Sequence, residues 1–218
     1  MSSLNVTMLG TGTSHGVPMI GCDCAVCTSS DPRDRRSRSS ILLEFDPASD
    51  DRASSSFASA TRSVLVDTSP DLRAQALTND VRRVDAIVYT HSHADHIFGL
   101  DEVRRFNHLT KQPMHCFADA RTAADIRRTF AYIFDPSTEK GGGVPSVTLT
   151  EIAGPFCLGR VEFVPIPLQH GSRQILGFRV GRFAYLTDCN AIPDASFALL
   201  DGVEILVLDA LCHRPHPT

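Results

Sequence analysis

The stretch His91-Ser92-His93-Ala94-Asp95-His96 constrains this chain more than any other, because it sets four potential metal ligands directly behind the apolar run Ala86-Ile87-Val88-Tyr89 and Thr90. An apolar run that ends in polar ligands reads as a buried strand delivering its last side chains to the rim of a sheet. In extended backbone, side chains two apart point the same way, so His91 and His93 can close on one metal ion. Asp95 and His96 follow where the chain must turn, and they can reach a second ion beside the first. The chain has nine His in 218 residues. Such local density is not what a solvated surface patch would show.

Two more candidates occupy the same kind of place. His170 follows the apolar run 161–167, and Asp188 follows Tyr185-Leu186-Thr187. Each stands where a strand is expected to end, as the first cluster does. Asp67, after Val64-Leu65-Val66, either orients a ligand His from behind or caps the next helix. Strands are expected over 4–10, 41–45, 63–67, 114–117, 146–152, 161–167, 175–180, 183–187 and 203–208, the last ending at Asp209. Helices are expected over 72–78, 97–109, 118–134 and 193–200. A helix beginning beside the ligand cluster would turn its N–H groups toward bound anions.

Cys22, Cys24 and Cys27 crowd into six residues of a chain with seven Cys. With no signal peptide visible in Met1-Ser2-Ser3-Leu4-Asn5-Val6-Thr7, zinc explains that crowding better than disulfides do. Free thiols are the alternative. A closed zinc site needs a fourth ligand, which must come from far away in sequence. The loop Gly10-Thr11-Gly12-Thr13-Ser14-His15-Gly16 is either a close approach to an anion or a tight turn. It lacks the Lys of a phosphate-binding P-loop, and His15 is left open between cleft and turn. Residues 46–61, rich in Ser, Ala and Asp, read as a mobile hairpin loop. Gly141-Gly142-Gly143 reads as a lid or a spacer. Neither loop carries the basic content of an RNA-binding arm. The formal charge of −4 gives no electrostatic case for a nucleic-acid backbone as main partner.

The ordered set His91-Ser92-His93-Ala94-Asp95-His96, His170 and Asp188 resembles the metal motifs of the metallo-β-lactamase superfamily, along essentially the whole chain. Leu9-Gly10-Thr11-Gly12-Thr13-Ser14-His15-Gly16-Val17-Pro18, with the Cys trio, is similar to the branch that hydrolyses phosphoribosyl 1,2-cyclic phosphate. The resemblance implies one α/β domain over 1–218, a four-layer αβ/βα sandwich with a Cys-rich zinc loop at 20–30. It implies that His91, His93 and His170 hold one metal ion, that Asp95 and His96 hold another, and that Asp188 bridges the two. The Cys trio would hold a structural zinc. Asp209 matches an acid supporting a general-acid His further on. In the branch, a last metal ligand and the fourth zinc ligand also follow the position of Asp209. Here only Arg214-Pro215-His216-Pro217-Thr218 closes the chain, and the tail holding His213 and His216 has no apolar strand to present them. We therefore expect a C-terminally incomplete version of a longer protein, with a weak second metal.

The expected activity is that of a cytoplasmic, binuclear metal-dependent hydrolase, with Asp95, Asp188 and Asp209 in catalytic roles. The cofactors would be two Zn²⁺ or Mn²⁺ ions roughly 3.5–4 Å apart, with a water between them activated for attack. The substrate would be a small or cyclic phosphodiester. Membrane partners are not expected, and a homodimer is left open. A nuclease resembling tRNA 3′-processing enzymes and a thioesterase resembling glyoxalase II are alternatives within hydrolysis. A non-catalytic metal-binding scaffold is the alternative of another class.

Overall fold

Strand side chains alternate between two apolar environments here, and that alternation builds the layers. The computed structural model describes residues 3–45, 62–139 and 143–211. The expected hairpin loop at 46–61, Gly141 and Gly142 of the glycine run, and the tail with His213 and His216 lie outside the described residues.

In chain order the elements are β1 (Leu4–Gly10), β2 (Ser40–Phe45), β3 (Ser63–Val66), α1 (Leu72–Thr78), β4 (Ala86–Val88) and α2 (Ala94–Ile97). A 3₁₀ turn (Leu100–Val103) leads into α3 (Arg104–Thr110), then β5 (Met114–Ala118), α4 (Ala120–Thr129), α5 (Ala131–Phe134) and β6 (Val147–Glu151). The second half holds β7 (Phe156–Leu158), β8 (Val161–His170), β9 (Arg173–Val180), β10 (Phe183–Leu186), α6 (Asp194–Phe197) and β11 (Ile205–Leu208).

Among the described residues these strands form two mixed sheets, ordered β1-β2-β3-β4-β5-β6 and β11-β10-β9-β8-β7. From β3 to β6 the first sheet is parallel, and its other pairs are antiparallel. In the second sheet only β10 and β11 run parallel. Ile41, Leu43, Val64, Val66, Ala86 and Val88 face the second sheet and meet Phe163, Phe178 and Tyr185. Their neighbours Leu42, Leu65 and Ile87 face the opposite way, onto Leu72, Leu100, Val103 and Phe106. On the far face of the second sheet, Ile166, Leu168, Ala184 and Leu186 are covered by Ile192, Leu199 and Leu200. Helix, sheet, sheet, helix is the expected αβ/βα sandwich. No helix among the described residues is long and apolar enough to cross a membrane.

Most expected elements stand within a few residues of where the sequence put them, and three depart for physical reasons. The helix expected over 97–109 is broken into α2, a 3₁₀ turn and α3. The break is at Gly99, where a Cβ would lie 2.1 Å from the Ser69 carbonyl oxygen. The chain is strapped to residue 68 there, with Gly99 N donating to Thr68 O at 2.9 Å and Thr68 N donating to His96 O at 2.8 Å. The helix expected over 118–134 divides at Phe130, whose backbone leaves the helical region at φ −111° and ψ 42° while its side chain is buried. Strand β8 runs on through Pro165 and Pro167 to His170. Gln169 N points away from β9 to reach Ala191 O, so by parity the two proline nitrogens also face that open edge.

Phe163 is the hub between the sheets, fully buried, stacked on Phe156 at 5.6 Å and edge-on to Phe178 at 6.5 Å. Phe163→Ala is expected to lower unfolding free energy by about 3–5 kcal/mol, measured by denaturant titration, with Phe163→Leu costing clearly less.

Candidate metal centre

Parallel strands deliver their C-terminal ends to one rim, so β3 and β4 place Asp67 and the Thr90–His96 stretch side by side. Asp67 is wholly buried and adopts a left-handed backbone at φ 62°. Asp188, just past β10, does the same at φ 58°. Asp is among the few side chains that occupy this region at modest cost, and such outliers concentrate at functional sites.

Asp67 organises what stands in front of it. It accepts from Thr90 N at 2.8 Å, from Thr90 Oγ1 at 2.7 Å and from His96 Nδ1 at 2.8 Å. A carboxylate only accepts, so His96 carries its proton on Nδ1 and presents Nε2 forward. Thr90 spends its hydroxyl proton on Asp67, leaving its oxygen to accept from His91 Nδ1 at 3.0 Å. His91 therefore also presents Nε2 as a lone pair. That nitrogen is buried with no hydrogen-bond partner. Of the two roles expected for Asp67, orientation of a ligand His is the one its contacts show. The first turn of α1 takes no side-chain cap.

The ligand atoms converge from separate elements. His91, His93 and His170 form one group whose candidate donor atoms lie within 4.8 Å of each other, and His91, His96 and Asp188 form another. His170, the last residue of β8, faces His93 with Nε2 3.2 Å from Nδ1. Asp188 Oδ2 lies 3.1 Å from His96 Nε2 and 3.8 Å from the Nε2 of His91, the residue that the two groups share. Asp95 Oδ2 reaches within 3.3 Å of the same His96 nitrogen.

Electrostatics favour a cation here. Burial and the neighbouring His96 charge push the His91 pKa well below its ordinary value, and burial with the His170 and Arg173 charges lowers His93. Both rings are thus held as neutral ligands. Burial alone would lower His96 too, but Asp67, Asp188 and Asp95 outweigh it and lift its pKa well above normal. Against burial, His96 and His91 hold Asp188 ionised far below the usual carboxylate range. A divalent cation ahead of the His96 and His91 nitrogens satisfies the orphaned lone pair and the facing carboxylates at once. The donor set, imidazoles with carboxylates, fits such an ion.

The Cys trio forms a third group. Met19 N donates to Cys27 Sγ at 3.3 Å and Cys27 N to Cys24 Sγ at 3.5 Å. The Cys27 N–H, helped by the neighbouring thiols, lowers the Cys24 pKa to about 7. His15 is exposed and joins none of the groups found among the described residues. Asp209 follows β11, its N donating to Leu186 O at 3.0 Å, and desolvation with the Asp188 charge raises its carboxyl pKa. It also lies outside the three groups. Gly10 and Gly12 let the backbone pack on residues 36–38: a Cβ would meet Arg38 O at 2.0 Å and Arg36 O at 2.5 Å. Close packing against this basic segment, rather than an anion, accounts for those glycines. Sequence reading missed Asp125 of α4, which accepts from Ser92 Oγ at 2.5 Å and pins the ligand stretch from outside.

Residues 62–218 match the family model described as the β-lactamase superfamily domain. The chain belongs to this superfamily. A crystal structure described as a new diphosphatase from the PhnP family is 43% identical, with a TM-score of 0.84 over 100% of this chain and 77% of that one. An octanoyltransferase of Porphyromonas gingivalis is 33% identical over 214 residues, 97% of this chain and 40% of that protein. The chain thus spans about two-fifths of that relative's length. Zn²⁺-bound PqqB from Methylobacterium extorquens shares the fold, at 22% identity and a TM-score of 0.66 over 95% of this chain and 72% of that one.

If Asp67 orients His96 as described, Asp67→Asn, which keeps the left-handed backbone affordable, should weaken metal binding about 10- to 100-fold in a chelator-competition titration. Unchanged affinity would refute that role.

Proposed function

We propose that this protein is a metal-dependent phosphohydrolase that cleaves a P–O bond in a small phosphodiester or diphosphate. The observation that carries the reading is a single carboxylate oxygen, Asp188 Oδ2, set between His96 and His91 where two donor groups adjoin. The 43% likeness to a PhnP-family diphosphatase over the whole chain supports the substrate class.

In this reading His91, His93 and His170 hold one ion, and Asp95, His96 and Asp188 hold the other, as Zn²⁺ or Mn²⁺. Such a pair, when bound, neutralises phosphoryl charge and makes water acidic enough to attack at neutral pH. The chain's own residues supply the rest. Asp67 fixes the His96 tautomer, and Thr90 fixes that of His91. Asp125 holds Ser92, so the two ligands on either side keep their spacing. In the same reading Asp209, which follows β11, supports a proton donor to the leaving oxygen. Cys22, Cys24 and Cys27 bind a structural zinc that fastens the loop at 20–30. The site is carried by one domain acting in the cytoplasm on a small phosphate ester.

Metal-stripped protein reloaded with Zn²⁺ or Mn²⁺ should hydrolyse bis(p-nitrophenyl) phosphate or a dinucleoside diphosphate. His93→Ala should lower kcat/KM by about 10²- to 10³-fold, the scale of losing an electrostatic stabiliser of the transition state. Two ions bound per His/Asp centre with no turnover of either substrate would point to a scaffold instead. Cys24→Ser should remove one zinc equivalent by elemental analysis while leaving the His/Asp centre loaded. Unchanged zinc would mean that the thiols hold none.

A further inference from the structure

Among the described residues, one cation beside the candidate centre is not committed to any partner. Arg173 opens β9, and its register partner across the hairpin is His170, the last residue of β8. Residues directly opposite in an antiparallel pair put their side chains on the same face, with Cβ atoms about 5 Å apart. Arg173 therefore stands on the face from which His170 meets His93. Its charge is felt at His93, where it adds to burial and His170 in keeping that ring neutral. Among the described residues its side chain makes no hydrogen bond and no ion pair.

Its mounting is rigid. The two-residue turn Gly171-Ser172 has Gly171 at φ 57°. Gln169 Nε2 donates to Gly171 O at 2.6 Å, and Gly171 N donates to Asn190 Oδ1 at 2.9 Å. Asn190 is two residues past Asp188, so the tip that carries Arg173 is tied to the loop that carries the central carboxylate. A half-buried guanidinium on a braced hairpin, opposite His170 and with no carboxylate partner among the described residues, is arranged to receive an anion.

We propose that Arg173 is a specificity-determining residue that binds a second, non-reacting phosphoryl group of the substrate, selecting diphosphates over simple phosphodiesters. This rests on the phosphohydrolase reading above and narrows its substrate class. The reacting phosphoryl belongs at Asp188 and at His91, the residue that the two donor groups share. Arg173 stands directly across the hairpin from His170, a member of the other donor group. A diphosphate carries an adjacent anionic phosphoryl to fill that place, and a lone phosphodiester does not. The planar fork of Arg binds two phosphoryl oxygens at once, which Lys cannot do.

The test compares wild type, Arg173→Ala and Arg173→Lys, each reloaded with metal and checked for equal metal content and thermal midpoint. For a dinucleoside diphosphate, Arg173→Ala should lower kcat/KM about 10- to 100-fold, mainly through KM, with Arg173→Lys between. For bis(p-nitrophenyl) phosphate the same variants should stay within about threefold of wild type. Equal losses on both substrates, or none on the diphosphate, would overturn the proposal. Calorimetry on the same three proteins gives a readout without turnover. Wild type should bind methylenediphosphonate more tightly than methylphosphonate, and Arg173→Ala should erase that preference. A preference absent from wild type, or retained in Arg173→Ala, overturns the assignment. Hydrolysis of neither substrate by wild type would instead sink the phosphohydrolase reading, while the binding comparison still decides the role of Arg173.

Discussion

The contact between Asp67 and His96 is the one on which the candidate centre depends. Both side chains are completely removed from solvent. A carboxylate in that position is costly unless every lone pair it turns inward meets a donor. Thr90 and His96 supply those donors, and in doing so they acquire fixed proton positions. One buried acid thus sets the chemical state of two imidazoles, one directly and the other through a hydroxyl. The desolvation cost is offset by order at the place where order matters.

The sandwich exists to make that arrangement stiff. β3 and β4 are buried on both faces, so their ends cannot shift without moving the core between the sheets and the core beneath the helices. His170 and Asp188 arrive from the second sheet. The centre is therefore a seam across which two independently hydrogen-bonded sheets must agree. Aromatic contacts between Phe117 of β5, Phe156 and Phe163 run through the same inter-sheet space. Packing and chemistry share one alignment.

Much of this was legible in the residues because strands have a short period and ligands sit where that period ends. His91, His93, His96, His170 and Asp188 each stand at or just past an apolar run, and the structure brings them together. Asp67 was visible as a candidate, but its role was not, since a residue after a strand can face a helix or a ligand equally well. The long helix at 97–109 was misjudged because its apolar spacing is helical on both sides of Gly99. Only the close approach of Ser69, distant in sequence, forces the break. Asp125 and Arg173 left no local signal. Each matters through a partner on another element, and pairing across a sheet or from helix to loop is not written in spacing.

His91 belongs to both donor groups, and Asp188 stands beside it in the group that also holds His96. The two sites are thus not separate receptors but one linked system. An ion in either group would fix the His91 ring that the other needs, and the coupling would be reciprocal. Loading of two ions there would be a cooperative event with a shared free energy. The effect of changing one ligand cannot be assigned to one ion. Any partition of affinity between the two positions describes the pair.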